Sequence, residues 1–383
     1  MDIPFKIGTG IQMVTVEDYR LLGVLQNKPL PDGPAGRAAV EEALAHPIGT
    51  PRLWELVRPG ETVAVITSDI TRPMPTWEVM PVLLDELYAA GIRREDIILI
   101  FALGSHRNHT PVDIDRRVAE ADRRICLGNI EYHYFAGYSG GAKAIMPGVS
   151  TRAAIQANHS RMVCPEARSG LLEGNPVRED IEEAAAMVGA DFMLNVVLDG
   201  QKNIVKAVAG DITLAHRAGC AFLDSIYRVD IQERADVVLV SQGGAPKDLN
   251  LYQTQKALDN ALRAVKPGGV VVLIGSCAEG LGERVFEEWM LSAPSPDFLI
   301  RRIQREFCLG GHKAAAIAMA VKKAGVYLVS DLDKTLVERL FMRPFSTFQE
   351  AYDAAIAERG PGATVLAMPY GGSTLPNVIE RLL

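Results

Sequence analysis

Short runs of β-branched and aliphatic residues alternate along this chain with longer segments whose apolar residues recur every three or four positions. Thr62–Thr67, Ile97–Ala102, Val237–Val240, Val270–Ile274, Val326–Val329 and Thr364–Ala367 are apolar almost without a break. A strand with one wet face would alternate, so unbroken runs predict strands covered on both faces of a parallel sheet. Helical spacing marks residues 76–90, 254–265, 283–291, 313–324 and 347–357, with further helices expected at 152–162 and 212–222 and a hairpin at 200–208. Gly91, Gly268 and Gly325 each follow such a segment, where a left-handed cap favours glycine.

Strand–helix alternation predicts βαβ units. The expected class is α/β: two domains, each a largely parallel sheet flanked by helices, with the active site in the cleft between them. The boundary is placed within 224–235, giving an N-terminal cofactor-binding domain of residues 1–228 and a Rossmann-like domain of residues 229–383. Residues 374–383 are expected to form a last helix that packs back on the first domain.

Composition narrows the function more than the fold. The 383 residues carry 40 Lys and Arg against 47 Asp and Glu, a net charge of −7, and the basic residues are scattered among acids. A nucleic-acid binder would show a basic stripe. The 5 cysteines form no CxxC pair, as expected of buried thiols in a reducing cytoplasm. The opening residues lack a basic stretch followed by an apolar one, and no apolar run approaches a membrane span, so a cytoplasmic protein is expected.

Candidate chemistry gathers in four clusters, each after an apolar run, and ligands of open α/β sheets sit beyond the carboxyl ends of strands. Ser68-Asp69-Ile70-Thr71-Arg72-Pro73 offers an arginine that can fork onto a carboxylate or phosphate, or an Asp–Arg pair that ties the loop. Gly104-Ser-His106-Arg-Asn-His109 offers two candidate bases, of which His106 stands nearer the strand end. Glu131-Tyr-His133-Tyr-Phe-Ala-Gly-Tyr-Ser-Gly-Gly-Ala-Lys143 sets a histidine and a lysine around a glycine-rich stretch, with His159 further on. It lacks the Gly-Lys-Ser/Thr ending of a nucleotide-triphosphate loop. Only 7 histidines occur in the chain, so several around one loop invite proton transfer or metal ligation. Tyr252-Gln253-Thr-Gln-Lys256 places an amide and an ammonium at a helix start, where a small carboxylate is attracted, or where a solvated face simply lies.

In register, these elements resemble the nickel-pincer-nucleotide-dependent lactate racemase family. Gly174-Asn-Pro-Val-Arg-Glu-Asp180 and Pro369-Tyr-Gly-Gly-Ser-Thr-Leu-Pro376 extend the likeness over most of the chain. The resemblance implies a racemase or epimerase that inverts a 2-hydroxy acid by proton-coupled hydride transfer. It implies a nickel-pincer nucleotide (the nickel complex of pyridinium-3,5-bisthiocarboxylic acid mononucleotide) covalently on Lys143, with Ni(II) ligated by His159. Asp69, Ile70, Thr71 and Arg72 would contact this cofactor. Arg72, Gln253 and Lys256 would bind the substrate, and His106 and His133 would be the acid–base pair. Cofactor-biosynthesis enzymes would supply the nucleotide. The family's C-terminal tryptophan has no clear counterpart; Trp289 and Phe298 lie in the region.

Two other readings compete. A nicotinamide-dependent 2-hydroxyacid dehydrogenase would need a GxGxxG turn with an acid about 20 residues on, which is missing. A cofactor carrier or sensor would need Lys143 and His159 but no pair of proton carriers.

Overall fold

The computed structural model describes residues 1–68, 74–102 and 113–379. The chain forms two compact units, one of Pro29–Ile226 and the other of Met1–Lys28 with Tyr227–Leu383. The first 28 residues therefore belong with the C-terminal part, a correction to the expected domain of residues 1–228. The reason lies in their side chains: Ile3, Phe5, Val14 and Val16 of an N-terminal hairpin are buried in the same core as Val237, Val272 and Phe348.

The unit of Pro29–Ile226 is built on a five-stranded sheet in the order Ile204–Gly210, Phe192–Leu198, Arg123–Asn129, Val63–Ser68, Ile97–Ala102. All neighbours are parallel except the edge pair Ile204–Gly210 and Phe192–Leu198, a hairpin whose first strand lies before the range 200–208 expected for it. Val63, Val65, Ile125, Leu127, Phe192 and Leu194 turn one face toward the helices Gly36–Ala45 and Thr76–Ala89. Burying one such aliphatic side chain stabilises the fold by roughly 1.5–3 kcal/mol. The strand Arg123–Asn129 escapes a hydropathy reading because two arginines open it and Gly128-Asn129 close it.

The other unit holds a six-stranded, wholly parallel sheet in the order Arg343–Phe345, Gly325–Val329, Val265–Ile274, Ala235–Ser241, Val365–Met368, Leu21–Val24. The expected helix over 374–383 is corrected: Leu375–Val378 is a strand, parallel to Arg228–Ile231 in the same unit. The helix expected at 254–265 spans Leu251–Ala261, because Asn250 caps it by accepting the Gln253 N–H at 3.1 Å. Of the three expected glycine caps, Gly91 has the left-handed φ of 83° just past its helix. Gly268 instead sits inside the strand Val265–Ile274, where the register jumps between Ala235 and Val237, and Gly325 opens a strand. Among the described residues no helix is long and apolar enough to cross a membrane.

Candidate functional site

The glycine-rich stretch is a loop held from three sides. Tyr132–His133 pairs antiparallel with Gly137–Tyr138, so His133 stands opposite Gly137 in a tight reversal. Gly137 has φ 74°, and a Cβ there would lie 2.0 Å from the Leu171 carbonyl oxygen, so no side chain fits. Tyr132 and Tyr138 both donate their hydroxyls to Asp224 Oδ1 at 2.8 Å. The Ser139 hydroxyl donates to Asn129 O at 2.8 Å and accepts the Glu131 N–H at 2.9 Å, closing the base of the loop.

Beyond it, Gly141–Ala144 forms a short 3-10 turn that carries Lys143. The Gly141 N–H donates to Asn195 Oδ1 at 2.7 Å, which ties the turn to the strand Phe192–Leu198. His216 Nε2–H donates to Ser139 O at 2.8 Å from the helix Leu214–Tyr227. Its ring lies so close that a Cβ on Gly141 would meet His216 Cδ2 at 2.8 Å. Burial holds the His216 imidazole well below its ordinary 6.5, and the Arg178 charge pushes the same way. Below that pH the unfolded chain takes up a proton that the folded ring refuses, so stability falls on acidification by up to ~1.4 kcal/mol per unit. Urea unfolding of His216→Gln, which keeps an N–H for Ser139, is expected to show a flatter slope between about pH 6.5 and pH 5. An equally steep slope in the variant would contradict this account.

Arg178 braces the loop from the helix Pro176–Val188 and is fully buried. Its Nε donates to Ala136 O at 3.1 Å and its Nη2 to Tyr138 O, while Glu182 lies 3.8 Å from Nη1. Burial pulls the guanidinium down to about 10, opposed by Glu182. Asn175 caps the same helix and donates to Phe135 O at 3.0 Å.

Three of the residues singled out by sequence converge on one ring. Phe135 lies edge-on to His133 at 4.5 Å and to His159 at 4.8 Å, and the Lys143 ammonium is 6.0 Å from its centroid. His159, 7% exposed, lies near the end of the helix Arg152–Ser160, with Nδ1 2.7 Å from Asn158 Oδ1. His133 Nδ1 accepts the Ala136 N–H at 3.2 Å, so the neutral ring carries its proton on Nε2. Phe135 was in plain view in the aromatic run 132–135 but had no role in a sequence reading. Asp69, Ile70, Thr71, Arg72, His106 and His109 lie outside the described residues.

Gln253 and Lys256 belong to the other unit, on the first turns of the helix Leu251–Ala261. Gln253 is half-buried and Lys256 exposed. The buried polar pair of that region is a different one. Lys313, 3% exposed, donates to Gln255 Oε1 at 2.6 Å, and Gln255 Nε2 donates to Asp259 Oδ2 at 2.6 Å. The signal was there: Lys313 is a charge directly before the small, apolar run 314–321 of the helix Gly311–Lys323. Trp289 is buried, stacked 4.0 Å from the Arg302 guanidinium and packed against Gly311, whereas Phe298 is 37% exposed.

Two α/β units, one of them gathering His133 and Lys143 of a braced glycine loop with His159 of the helix Arg152–Ser160, define an α/β protein with a candidate active site. A family model described as the lactate racemase N-terminal domain matches residues 7–111 and 108–170, and the lactate racemase C-terminal domain model matches residues 230–375. The lactate racemase of Thermoanaerobacterium thermosaccharolyticum is 30% identical over 98% of this chain and 98% of its own. That of Lactiplantibacillus plantarum is 31% identical over 97% and 98%. The structure of the lactate racemase apoprotein from the former organism superposes with a TM-score of 0.88, covering 98% of this chain and 100% of that one. A Thermotoga maritima protein, 16% identical over 90% of this chain and 98% of its own with a TM-score of 0.62, shares the fold alone. The chain belongs to the lactate racemase family and is an isomerase.

Proposed function

We propose that the protein interconverts the enantiomers of a 2-hydroxy acid, lactate foremost, with a nickel-pincer nucleotide on Lys143 ligated through His159. The observation that supports this best is the gathering of His133, His159 and Lys143 around Phe135, with the two rings bonded differently at Nδ1. The residues fit such a group. Lys143 offers a primary amine on a turn held by backbone bonds, suited to a covalent tether. With His159 Nδ1 bonded to Asn158, the metal-donor nitrogen is Nε2, and imidazole beside sulfur donors suits Ni(II). Among the described residues no three His, Cys, Asp or Glu side chains are grouped as a metal cage. The other donors would come from the cofactor itself. When bound, the group would supply a hydride acceptor and donor for the substrate α-carbon.

The protein's own task is to hold the carboxylate and move one proton. Gln253, Lys256 and Arg72 bind the carboxylate, and His133 and His106 exchange the hydroxyl proton, one for each enantiomer. As placed, His133 offers an N–H at Nε2, and its lone pair is bonded to Ala136. To accept a proton at Nε2 the ring must carry its own proton on Nδ1 and give up that bond, at a cost of about 0.5–1.5 kcal/mol. Both the base form and the imidazolium therefore require release from Ala136.

The test is chiral analysis of lactate and other 2-hydroxy acids with protein made alongside cofactor-biosynthesis enzymes. His133→Ala is expected to lower kcat by about 10²–10⁴-fold while an adduct remains on Lys143. Full turnover by this variant would remove His133 from the proton path, and a wild type inert on every 2-hydroxy acid would remove the function.

A further inference from the structure

We propose that Asn158 and Asp180 form a positioning relay that locks His159 in its Nδ1–H tautomer and so presents Nε2 as a metal donor. The inference rests on the nickel reading of His159 above. Asn158 is fully buried, and both protons of its amide nitrogen are committed: one goes to Val177 O at 3.0 Å, the other to Asp180 Oδ2 at 2.8 Å. Both partners are pure acceptors, so the amide cannot be turned around without setting oxygen against oxygen. The atom that meets His159 Nδ1 at 2.7 Å is therefore the amide oxygen, which can only accept. The imidazole must supply the proton from Nδ1, and in the neutral ring the lone pair then lies on Nε2.

Asp180, on the helix Pro176–Val188 and 3.8 Å from the Arg161 guanidinium, orients the amide. The amide fixes the ring, and a carboxylate at the far end of the chain raises the donor strength of the imidazole. His133 carries the opposite arrangement, with a backbone N–H pointing at Nδ1. Two histidines touching the same phenylalanine are thus held by their outer hydrogen bonds in opposite tautomers, with Nε2 carrying the lone pair on His159 and the proton on His133. The Asn-His pair at 158–159 and the aspartate at 180 serve one function across two helices.

Long-range ¹H–¹⁵N correlation of histidine side chains in the cofactor-less protein reads the tautomer directly, at about pH 8, above the ordinary imidazole value. Wild type is expected to show His159 with its proton on Nδ1. Asn158→Leu and Asp180→Leu should shift it toward the Nε2–H form, and Asp180→Asn, which still offers a carbonyl oxygen, should restore it. In protein loaded with cofactor, the two leucine variants should keep the Lys143 adduct by intact mass yet lose nickel to a chelator roughly 10–100-fold more readily. Should Asn158→Leu not fold, Asp180→Leu against Asp180→Asn carries the same comparison. An Nε2–H tautomer in wild type overturns the relay whatever the cofactor does, as does wild-type nickel retention in both leucine variants. Wild type with the expected tautomer but no nickel overturns the metal reading, and the proposal with it.

Discussion

Alanine at position 143 is expected to leave a folded protein with no detectable racemisation and no added mass. The turn Gly141–Ala144 is held through its main-chain N–H groups. Gly141 N–H reaches Asn195, and the Lys143 N–H itself donates to Gly140 O at 3.2 Å. Among the contacts of the ammonium is the Phe135 ring at 6.0 Å, worth about 0.5–1 kcal/mol at a partly open site. The chemistry should fall by the whole enzymatic acceleration, on the order of 10⁶-fold or more, because no amine remains to carry the cofactor. Lys143→Arg separates charge from tethering, since a guanidinium keeps the cation but is not a nucleophilic amine. Intact-mass measurement of both variants after expression with the cofactor-making enzymes decides it. An adduct on either variant would show that the tether is elsewhere.

Arg178→Met is the second large effect expected, this time on stability. The guanidinium is fully buried and serves the carbonyls of Ala136 and Tyr138. A thioether of similar length fills the space but donates nothing; Ala136 O keeps the Tyr138 N–H at 2.9 Å, while Tyr138 O loses the guanidinium donor, at about 1–3 kcal/mol. Losing the cation also leaves Glu182 with one partner fewer, although Arg217 still holds it through Nη1 at 2.7 Å. A loss of about 1–3 kcal/mol is expected, read as a lower urea midpoint at unchanged slope. A shift under about 0.5 kcal/mol, the size of an ordinary surface change, would mean that water replaces the arginine and the loop does not need it.

The hydropathy pattern carries the sheets because burial on both faces leaves its own mark. Val63–Ser68 and Ala235–Ser241 lie where apolar runs place them and are buried on both faces, whereas the edge strand Ile97–Ala102, expected to be covered likewise, leaves Leu99 and Phe101 exposed. The Phe135 neighbourhood was half legible: His133, Lys143 and His159 stand out by rarity, and the ring that gathers them does not. The braces were not legible at all, because each joins residues far apart in the chain. His216 and Ser139 are separated by 77 positions, Asn195 and Gly141 by 54, and Arg178 and Ala136 by 42. A buried arginine or histidine looks, in sequence, like any charged residue on a helix. The N-terminal segment misled for a related reason. Leu21–Val24 pairs with Val365–Met368, and proximity along the chain assigned it instead to its immediate successors.

That pairing has a bearing on how the molecule is made. One unit is a single uninterrupted stretch, Pro29–Ile226, and all of its sheet has left the ribosome before the other unit's central strands exist. Leu21–Val24 must meanwhile wait for a partner strand translated more than three hundred codons later. The nascent lysine-bearing half thus has its full complement of strands while that earlier segment still has no strand to pair with.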